Sequence, residues 1–542
     1  MKGNDRHRTG RSVIAGALAI ALIALLFACA HVTAPDADAP YEDMAYSSDD
    51  YPVEQAPPGW VSEGAMYEVF VRNFGEDGTF AEVEAELARL DELGVKTLWL
   101  MPIHPIGEEK RKGPVGSPYS VRDFKDVHPD FGTLEDFESL RDAAHDRDMK
   151  IILDWVANHT AHDHPWTENP EWYIQDRDGV PRPPLRFPEW TDIAALDYSR
   201  EEPREVMTDA LRFWVEDMNV DGFRFDYPGD IPMDYWGYIT GELLDSNPDL
   251  FLLAETADYS FITDGPFHML YGWGSHFALP QVWHGNETPL DFLRQAKSEV
   301  DGAAGNAPMR FTTNHDETSW SLNPVIKYGS DNRGAAEQAV LEAASDDDPL
   351  AAVGPDAAVH PDGSKAAAVA QLLLPGLPMI YTAQEIGSVD VDGRLVGAPL
   401  DAANDDEAYL FTKSTYSWSD PGEYSARFER FYSALIALRN ERDVLRYGDM
   451  RIPQDYGRNE ELIVYGRDYD GERVLVAVNP RAESTELYLG DWLERTFGDD
   501  VDVSQDTWTV RSGVEFDERD DPAVLEQPAG FGAYEWIVVE ER

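Results

Sequence analysis

Cysteine is almost missing from this chain of 542 residues, which has one, Cys29. A single cysteine forms no internal disulfide and offers no cluster that would hold zinc or an iron–sulfur centre. Basic residues are also scarce, since 44 Lys and Arg face 103 Asp and Glu and the formal net charge is −59 at pH 7. Because so negative a surface repels phosphate backbones, the composition argues against a nucleic-acid-binding protein.

Long hydrophobic runs are limited to one, residues 13–28, which follows a basic head and is short for a membrane-spanning helix. The run ends in Leu26-Phe27-Ala28-Cys29, which resembles a bacterial lipobox and predicts residues 1–29 as a signal peptide with lipidation of Cys29. An ordinary signal peptide cut after Ala28 or Ala30, or an uncleaved anchor, is the alternative. All three versions place the body of the protein outside the cytoplasm, as a periplasmic or cell-surface lipoprotein or as a secreted protein. Membrane contact would then be limited to this N-terminal segment.

The excess of acidic residues has two interpretations. One is an ordinary acidic exported protein. The other, which we favour, is adaptation to high salt, where a dense carboxylate surface stays hydrated while ions screen its self-repulsion. Hydrophobic residues (43%) and aromatic residues (11%) are frequent enough to build a large core, so the charge does not indicate disorder.

Strand-like and helix-like segments alternate from Met66 onward, which predicts parallel βαβ units and, from their number, an α/β fold of the (β/α)8 TIM-barrel type. The predicted strands are Met66–Val71, Val95–Met101, Lys150–Trp155, Val220–Asp226, Leu250–Glu255, Met309–Asn314 and Pro378–Ala383. The predicted organisation is a signal peptide (1–29), a flexible acidic tether (30–60), the barrel (61–446) with insertions at about 159–200, after the third strand, and about 330–362, and a C-terminal antiparallel β-sandwich domain (447–542).

Charged side chains follow four of these strands, at the ends that a barrel directs towards its substrate. They are Asp154 with His159, Arg224 with Asp226, Glu255, and His315 with Asp316. One such carboxylate by itself is explained as a helix cap, whereas four strands together favour a shared site.

Arg224 and Asp226 point to the same side of their strand, because residues two apart share a face. The guanidinium would therefore keep the Asp226 carboxylate ionised. One ionised and one protonated carboxyl are what the cleavage of a glycosidic bond needs, since its transition state resembles an oxocarbenium ion.

Four blocks of sequence resemble the signature regions of the α-amylase family of glycoside hydrolases. They are Asp154–His159, Gly222–Asp226, Glu255 and Phe311–Asp316, in the family's order. Further similar stretches, among them Thr97–Ile103, Ser117–Ser120 and Leu374–Tyr381, extend the resemblance from about Met66 to the C-terminus.

The resemblance implies a retaining mechanism with a covalent glycosyl–enzyme intermediate. In it Asp226 is the nucleophile, Glu255 is the general acid and base, and Asp316 binds sugar hydroxyls. The carboxyls of Asp226 and Glu255 would then lie about 5–5.5 Å apart. The resemblance also implies contacts with the nucleophile or the sugar from Arg224, His159 and His315, stacking of Tyr119 on the sugar, and orientation of Arg224 by Asp154.

The chain departs from the family after Asp226, where Tyr227-Pro228-Gly229-Asp230 stands in place of a frequent Lys-His pair. The sugar subsites on the reducing side should therefore differ. Asn158 matches a calcium ligand of the family, and Asp192 is its candidate partner, because hard oxygen ligands suit Ca²⁺. A calcium-bound and a calcium-free protein both remain open, and no organic cofactor is expected.

The leading hypothesis is a retaining α-glucan hydrolase that cleaves α-1,4-glucosidic bonds in starch, glycogen or maltodextrins. The alternatives are a transglycosylase, an enzyme for cyclodextrins or short maltooligosaccharides, and a non-catalytic glucan-binding surface lipoprotein, which would have lost one of the three carboxylates. Aromatic residues after the strands are either sugar-stacking faces or core residues, namely Trp166, Trp172, Tyr173, Trp190, Trp273, Trp283 and Trp320, whereas Trp99 and Trp214 are predicted to be core.

Overall fold

The computed structural model describes residues 56–113, 115–283, 285–316, 361–387, 418, 422–457, 460–498, 501–504, 507–513, 515–518 and 529–542. The predicted signal peptide with Cys29, most of the predicted tether, most of the second predicted insertion and Trp320 lie outside these residues. Within the described ranges, we find no helix whose length and hydropathy suit a membrane span.

The barrel predicted from the sequence is confirmed. Its eight parallel strands are β1 (Ala65–Val69), β2 (Val95–Leu100), β3 (Lys150–Trp155), β6 (Gly222–Phe225), β7 (Phe251–Ala254), β8 (Met269–Leu270), β9 (Met309–Arg310) and β10 (Leu377–Tyr381). Neighbouring strands follow the order β8-β7-β6-β3-β2-β1-β10-β9. A parallel bridge between Tyr271 and Met309 joins the two edge strands, so the sheet closes into a ring.

Apolar side chains pack on both sides of this ring, which explains why its strands are nearly continuous hydrophobic runs. The interior is filled by one cluster that includes Met66, Trp99, Ile152, Phe251, Met309 and Met379. A larger cluster, which includes Trp155, Trp214 and Phe223, packs the strands against the helices outside. Trp99 and Trp214 are fully buried, which confirms that both belong to the core.

Helices cover the outside of the ring and continue beyond it. They are α1 (Phe80–Glu92), α2 (Leu134–His145), α3 (Glu201–Arg212), α4 (Met233–Ser246), α5 (Ser260–Thr263), α6 (Trp273–Trp283), α7 (Pro289–Gly302), α8 (Pro361–Leu372), α9 (Gly422–Glu441), α10 (Asp443–Tyr447) and α11 (Leu489–Phe497). Three of them begin with a threonine capping box, at Thr79, Thr133 and Thr288, which satisfies backbone N–H groups that a helix start leaves unpaired.

Strand β8 and helix α6 have no counterpart among the sequence predictions. The strand has two residues, which is too few for a periodic pattern. The helix contains Pro280 and buries residues on most of its circumference, so it shows no apolar stripe at helical spacing.

The insertion after β3 contains a short antiparallel pair, β4 (His159–Ala161) with β5 (Ile193–Ala195). The C-terminal part is an antiparallel sheet domain, as predicted. Its strands are β11 (Asp449–Arg451), β12 (Ile463–Tyr469), β13 (Glu472–Val478), β14 (Thr485–Leu487), β15 (Trp508–Ser512), β16 (Asp517–Glu518), β17 (Ala529–Phe531) and β18 (Trp536–Glu541). Six of them form one sheet in the order β11-β12-β13-β18-β15-β16, and β14 pairs separately with β17.

Candidate active site

The barrel brings the charged side chains of the four predicted strand ends to one end of the ring. Asp154 of β3 is the register partner of Arg224 of β6. Asp226 and Glu255 follow β6 and β7 directly and extend the sheet, because their backbone N–H groups donate to Trp155 O at 3.0 Å and Phe225 O at 3.1 Å. Parallel strands in register thus place both carboxylates at the same rim.

The guanidinium of Arg224 is the centre of this group. Its Nη1 donates to Asp154 Oδ1 at 2.7 Å and to Asp226 Oδ1 at 3.1 Å. Its Nη2 lies 2.7 Å from Glu255 Oε2, a close charge contact without hydrogen-bond geometry. Its Nε donates to the Tyr271 hydroxyl at 2.9 Å. Arg224 and Asp154 are completely buried, whereas 14% of the Asp226 side chain and 17% of the Glu255 side chain are exposed, so of these four side chains Asp226 and Glu255 are the ones open to a ligand.

Three carboxylates therefore share one positive charge, and the pKa values of Glu255 and Asp154 show where burial favours a proton. Burial raises the pKa of Glu255 to about 8; Asp226 and Asp316 add to the rise, while Arg224 opposes it. Burial also raises the pKa of Asp154, to about 6, against the opposing charge of Arg224. Near neutral pH the proton thus sits on Glu255, as a general acid requires.

The backbone of Tyr227 is strained, with φ of 32° in the left-handed region that favours glycine. This conformation aims its N–H at Glu255 Oε2, 3.1 Å away. Strain of this kind persists where surrounding contacts hold it, and it is typical of functional sites. Here it fixes the position of the candidate acid.

His315 connects Asp316 to a buried carboxylate that sequence reasoning missed, Glu68 of β1. The imidazole Nδ1 is hydrogen-bonded to Glu68 Oε1, and its Nε2 lies 3.2 Å from Asp316 Oδ2. Burial lowers the pKa of His315, but the carboxylates of Asp316 and Glu68 outweigh it and hold that pKa well above its usual range. His315 is therefore an imidazolium between two acids, and 56% of the Asp316 side chain remains exposed to a ligand.

A signal for Glu68 was present in the sequence. It is the one charged residue of β1, and it lies two positions after Met66, which points into the barrel interior. Strand periodicity therefore directs Glu68 inward as well.

Tyr119 and His159 lie beside this cluster. The Tyr119 hydroxyl donates to Asp154 Oδ2 at 3.1 Å and lies 2.8 Å from His315 Nε2, and its ring stacks on the imidazole at 5.6 Å. His159 Nε2 lies 3.1 Å from Tyr119 O, and burial lowers the pKa of the His159 imidazole. The structure therefore groups every sequence-predicted substrate residue around Arg224 or His315, while their contacts with a sugar stay predictions.

Aromatic side chains of the insertion form a platform next to Asp226, which we call the 187–190 platform. Phe187 and Trp190 stack with ring centroids 4.2 Å apart, and the Tyr227 ring meets Phe187 edge-on at 4.9 Å. All three are half-buried. Among the other aromatic candidates, Tyr173 and Trp273 are buried core residues, and Trp166 stacks on the core residue Phe124.

The predicted calcium ligands Asn158 and Asp192 are both buried, but a lysine side chain pairs with the carboxylate of Asp192. Lys112 Nζ lies 3.3 Å from Asp192 Oδ1 and donates to Glu189 O at 2.9 Å. An ammonium thus takes the carboxylate and a main-chain carbonyl, the kinds of oxygen that Ca²⁺ would bind. Among the described residues, no cluster of three or more His, Cys, Asp or Glu side chains suits a metal. The residues present therefore do not fit calcium at this position.

Comparison with known proteins agrees with this geometry. Residues 60–178 match the family described as alpha amylase, catalytic domain. The chain is 28% identical over 452 residues to Alpha-amylase MalA of Haloarcula japonica, which covers 80% of this chain and 57% of that protein. It is 34% identical over 221 residues to an alpha-1,4-glucan:maltose-1-phosphate maltosyltransferase of Mycolicibacterium smegmatis, which covers 35% and 31%. The chain therefore spans less than two thirds of the length of these relatives.

The fold has close counterparts among solved structures. One is a maltogenic alpha-amylase, AmyB of Thermotoga neapolitana, with a TM-score of 0.65 and 24% identity over 89% of this chain and 97% of that chain. At this identity the match supports the architecture of the barrel with its C-terminal sheet.

Proposed function

We propose that this chain, whose residues 60–178 match the catalytic domain of the α-amylase family, is a retaining hydrolase of α-1,4-glucosidic bonds in starch, glycogen or maltodextrins. The supporting observation is that Arg224 contacts both Asp226 and Glu255 while Glu255, with a pKa raised to about 8, keeps its proton. One carboxylate is thereby ready to attack and the other to donate, which is the division of labour that a retaining glycosidase needs.

The proposed reaction has two steps. A carboxylate oxygen of Asp226 attacks the anomeric carbon while Glu255 gives its proton to the glycosidic oxygen, so the bond breaks and the leaving sugar departs with a new hydroxyl. The Glu255 carboxylate then takes a proton from water, whose oxygen attacks the same carbon and releases Asp226. Asp316 and His315 would hold the sugar hydroxyls, and Asp154 would keep Arg224 in place.

A transglycosylase is the second candidate, because the maltosyltransferase relative shares 34% identity with part of this chain. In that case a sugar hydroxyl replaces water in the second step. Product analysis on soluble starch, maltotriose and cyclodextrin distinguishes the two, since transfer gives oligosaccharides longer than maltotriose. An absence of turnover on all three substrates would instead support a glucan-binding protein.

Replacement of the proposed acid tests the assignment. Glu255→Gln removes the proton donor but keeps the shape, so we expect kcat to fall by about 10²–10⁴-fold while maltooligosaccharide binding by calorimetry stays near wild type. Glu92→Gln, on the exposed surface of α1, is the matched control and should leave both unchanged. Unchanged turnover in Glu255→Gln would remove the acid assignment.

We also propose that the body of the protein is exported and held at the cell surface by a lipid on Cys29, and that it is adapted to high salt. The support is the lipobox-like sequence and the net charge of −59. Mass spectrometry of the mature N-terminus tests the first proposal, and a series of activity and melting measurements across salt concentrations tests the second.

A further inference from the structure

Three buried arginines lie outside the active site and converge on one short turn, residues 373–376, between α8 and β10. Arg310 Nε donates to Pro375 O at 2.8 Å, and Arg467 Nη1 donates to Leu373 O at 2.7 Å. Arg439 Nη2 donates to Gly376 O. The three side chains come from β9, β12 and α9, so the barrel and the C-terminal sheet meet at this turn. The turn precedes β10, which puts the cluster at the end of the ring opposite the active site.

The positive charge of this cluster is only partly balanced. Arg310 forms an ion pair with the buried Glu299. Arg467 donates its other N–H groups to Gly448 O, at 3.0 and 2.8 Å, and forms no ion pair with any described residue. Arg439, 1% exposed, likewise has no ion pair in the described part of the chain. Within the part of the chain that the structure describes, two guanidinium charges are thus buried without a paired carboxylate.

Some N–H groups of the Arg439 guanidinium also lack a hydrogen-bond acceptor among the described residues. Its Nε and Nη1 are buried and have no hydrogen-bond partner within the ranges that the structure describes, and the same is true of Nε of Arg446. Burial lowers the pKa of Arg439 to about 9, and the neighbouring Arg467 and Arg446 add to the drop. Unpaired charged donors in the interior are costly, and native structures pair them with protein, water or an ion.

We propose that a small monovalent anion of the halide class binds against Nε and Nη1 of Arg439, between α9, α10 and the 373–376 turn. The donor chemistry favours a halide over water. A water molecule carries no charge, so it would satisfy the two donors but leave the guanidinium charge of Arg439 unbalanced. A halide needs donors alone, and it supplies the negative charge that the cluster lacks.

The bound anion would stabilise the contact between barrel and C-terminal sheet, and it would leave the catalytic carboxylates at the other end untouched. A ligand that binds the folded state alone raises the melting temperature in a saturable manner. The proposal therefore concerns stability, and it stands or falls independently of the proposed activity.

The experiment compares anions at constant sodium concentration. The full chain is melted in sodium glutamate with increasing replacement by chloride or bromide, and we expect a saturable rise in Tm of about 2 °C or more. Arg439→Met should abolish the halide-specific rise. Arg430→Met, on the same helix but with 46% of its side chain exposed, is the matched control and should retain it.

Crystals of the wild-type protein grown in bromide provide a readout that needs no variant to fold. We expect an anomalous bromide peak within hydrogen-bond distance of Arg439. A Tm that is equal in all three anions, a halide-specific rise that persists in Arg439→Met, or crystals without a peak at Arg439 would each overturn the proposal in favour of water.

Discussion

The two ends of the barrel have opposite imbalances of buried charge. At the active-site end, one guanidinium, Arg224, contacts three carboxylates, those of Asp154, Asp226 and Glu255. At the other end, three buried arginines lie close together and only one of them, Arg310, has a carboxylate partner among the described residues, Glu299. Each cluster includes buried groups at one end of the barrel, and the two differ in the sign of the surplus charge.

The sign decides how each cluster reaches a neutral balance. A surplus carboxylate can take up a proton, and burial raises the pKa of Glu255 to about 8, so the surplus becomes a general acid. A surplus guanidinium keeps its proton at neutral pH, so it needs an anion from outside. An excess of buried acid therefore supports catalysis, whereas an excess of buried base supports ligand binding.

Arg224→Lys disrupts the cluster of charges at the active-site end and should have the largest effect. Lysine keeps the charge but cannot reach three carboxylates as a planar fork does. We expect kcat to fall by about 10²–10³-fold, because Asp226 and Glu255 lose their common support. Steady-state kinetics on maltooligosaccharides measure this, and Arg122→Lys, a half-exposed ion pair with Glu108, is the control. Wild-type kcat in Arg224→Lys would show that the bridge has no catalytic role.

The pH dependence of activity tests the same cluster at the active-site end. Glu255 acts as an acid only while it is protonated, so activity should be present below its pKa and be lost as pH rises through about 8. Above that value kcat/KM should fall tenfold for each pH unit. A profile that stays flat to pH 9, measured where the protein remains folded, would contradict the assignment of the proton to Glu255.

How much of this site was visible in the sequence depends on where each partner lies in the chain. Asp226 and Glu255 were found because each directly follows an apolar strand. Asp154 and Arg224 were found for a similar reason, since short-range strand patterns carry the information. The barrel itself was predicted from the same alternation, apart from β8, whose two residues carry no period.

Two charged partners that lie outside the recognised sequence blocks were missed. Glu68 meets His315 across 247 positions, and Lys112 meets Asp192 from a different loop. Neither pairing leaves a local pattern, because the two partners meet only in the folded chain. The arginine cluster was missed for the same reason, since its members come from three elements that meet in space alone.

Glu68→Gln tests whether the buried acid acts through His315. Loss of this carboxylate removes one of the two charges that raise the pKa of His315, so that pKa should drop. The charged imidazole of His315 supports activity until the pH rises through its pKa. In the variant this pKa is lower, so the contribution should be lost at a lower pH. We expect kcat/KM to fall by about tenfold, and the loss of charge on His315 to add to the deprotonation of Glu255 near pH 8, so that activity declines from a lower pH than in the wild type.

Glu385→Gln is the matched control for Glu68→Gln. Glu385 is also a buried carboxylate at this rim, but it pairs with Arg89 and Tyr67 instead of a histidine. The control should lower Tm without displacing the pH profile. If both variants displace the profile equally, Glu68 has no specific role as a positioning residue.

Lys112→Met removes the ion pair between Lys112 and Asp192 and should have the smallest effect. In the wild type the ammonium of Lys112 already neutralises the buried Asp192, so a chelator or added calcium should change neither Tm nor activity. Removal of the lysine leaves Asp192 unpaired and should lower the free energy of unfolding by about 1–3 kcal/mol. Added calcium should then restore part of the loss, because the freed carboxylate becomes available to it.

Lys125→Met breaks the exposed pair with Asp209 and should show neither effect. A wild-type Tm that falls in chelator would mean that calcium binds despite the lysine. Lys112 would then not be the group that neutralises Asp192.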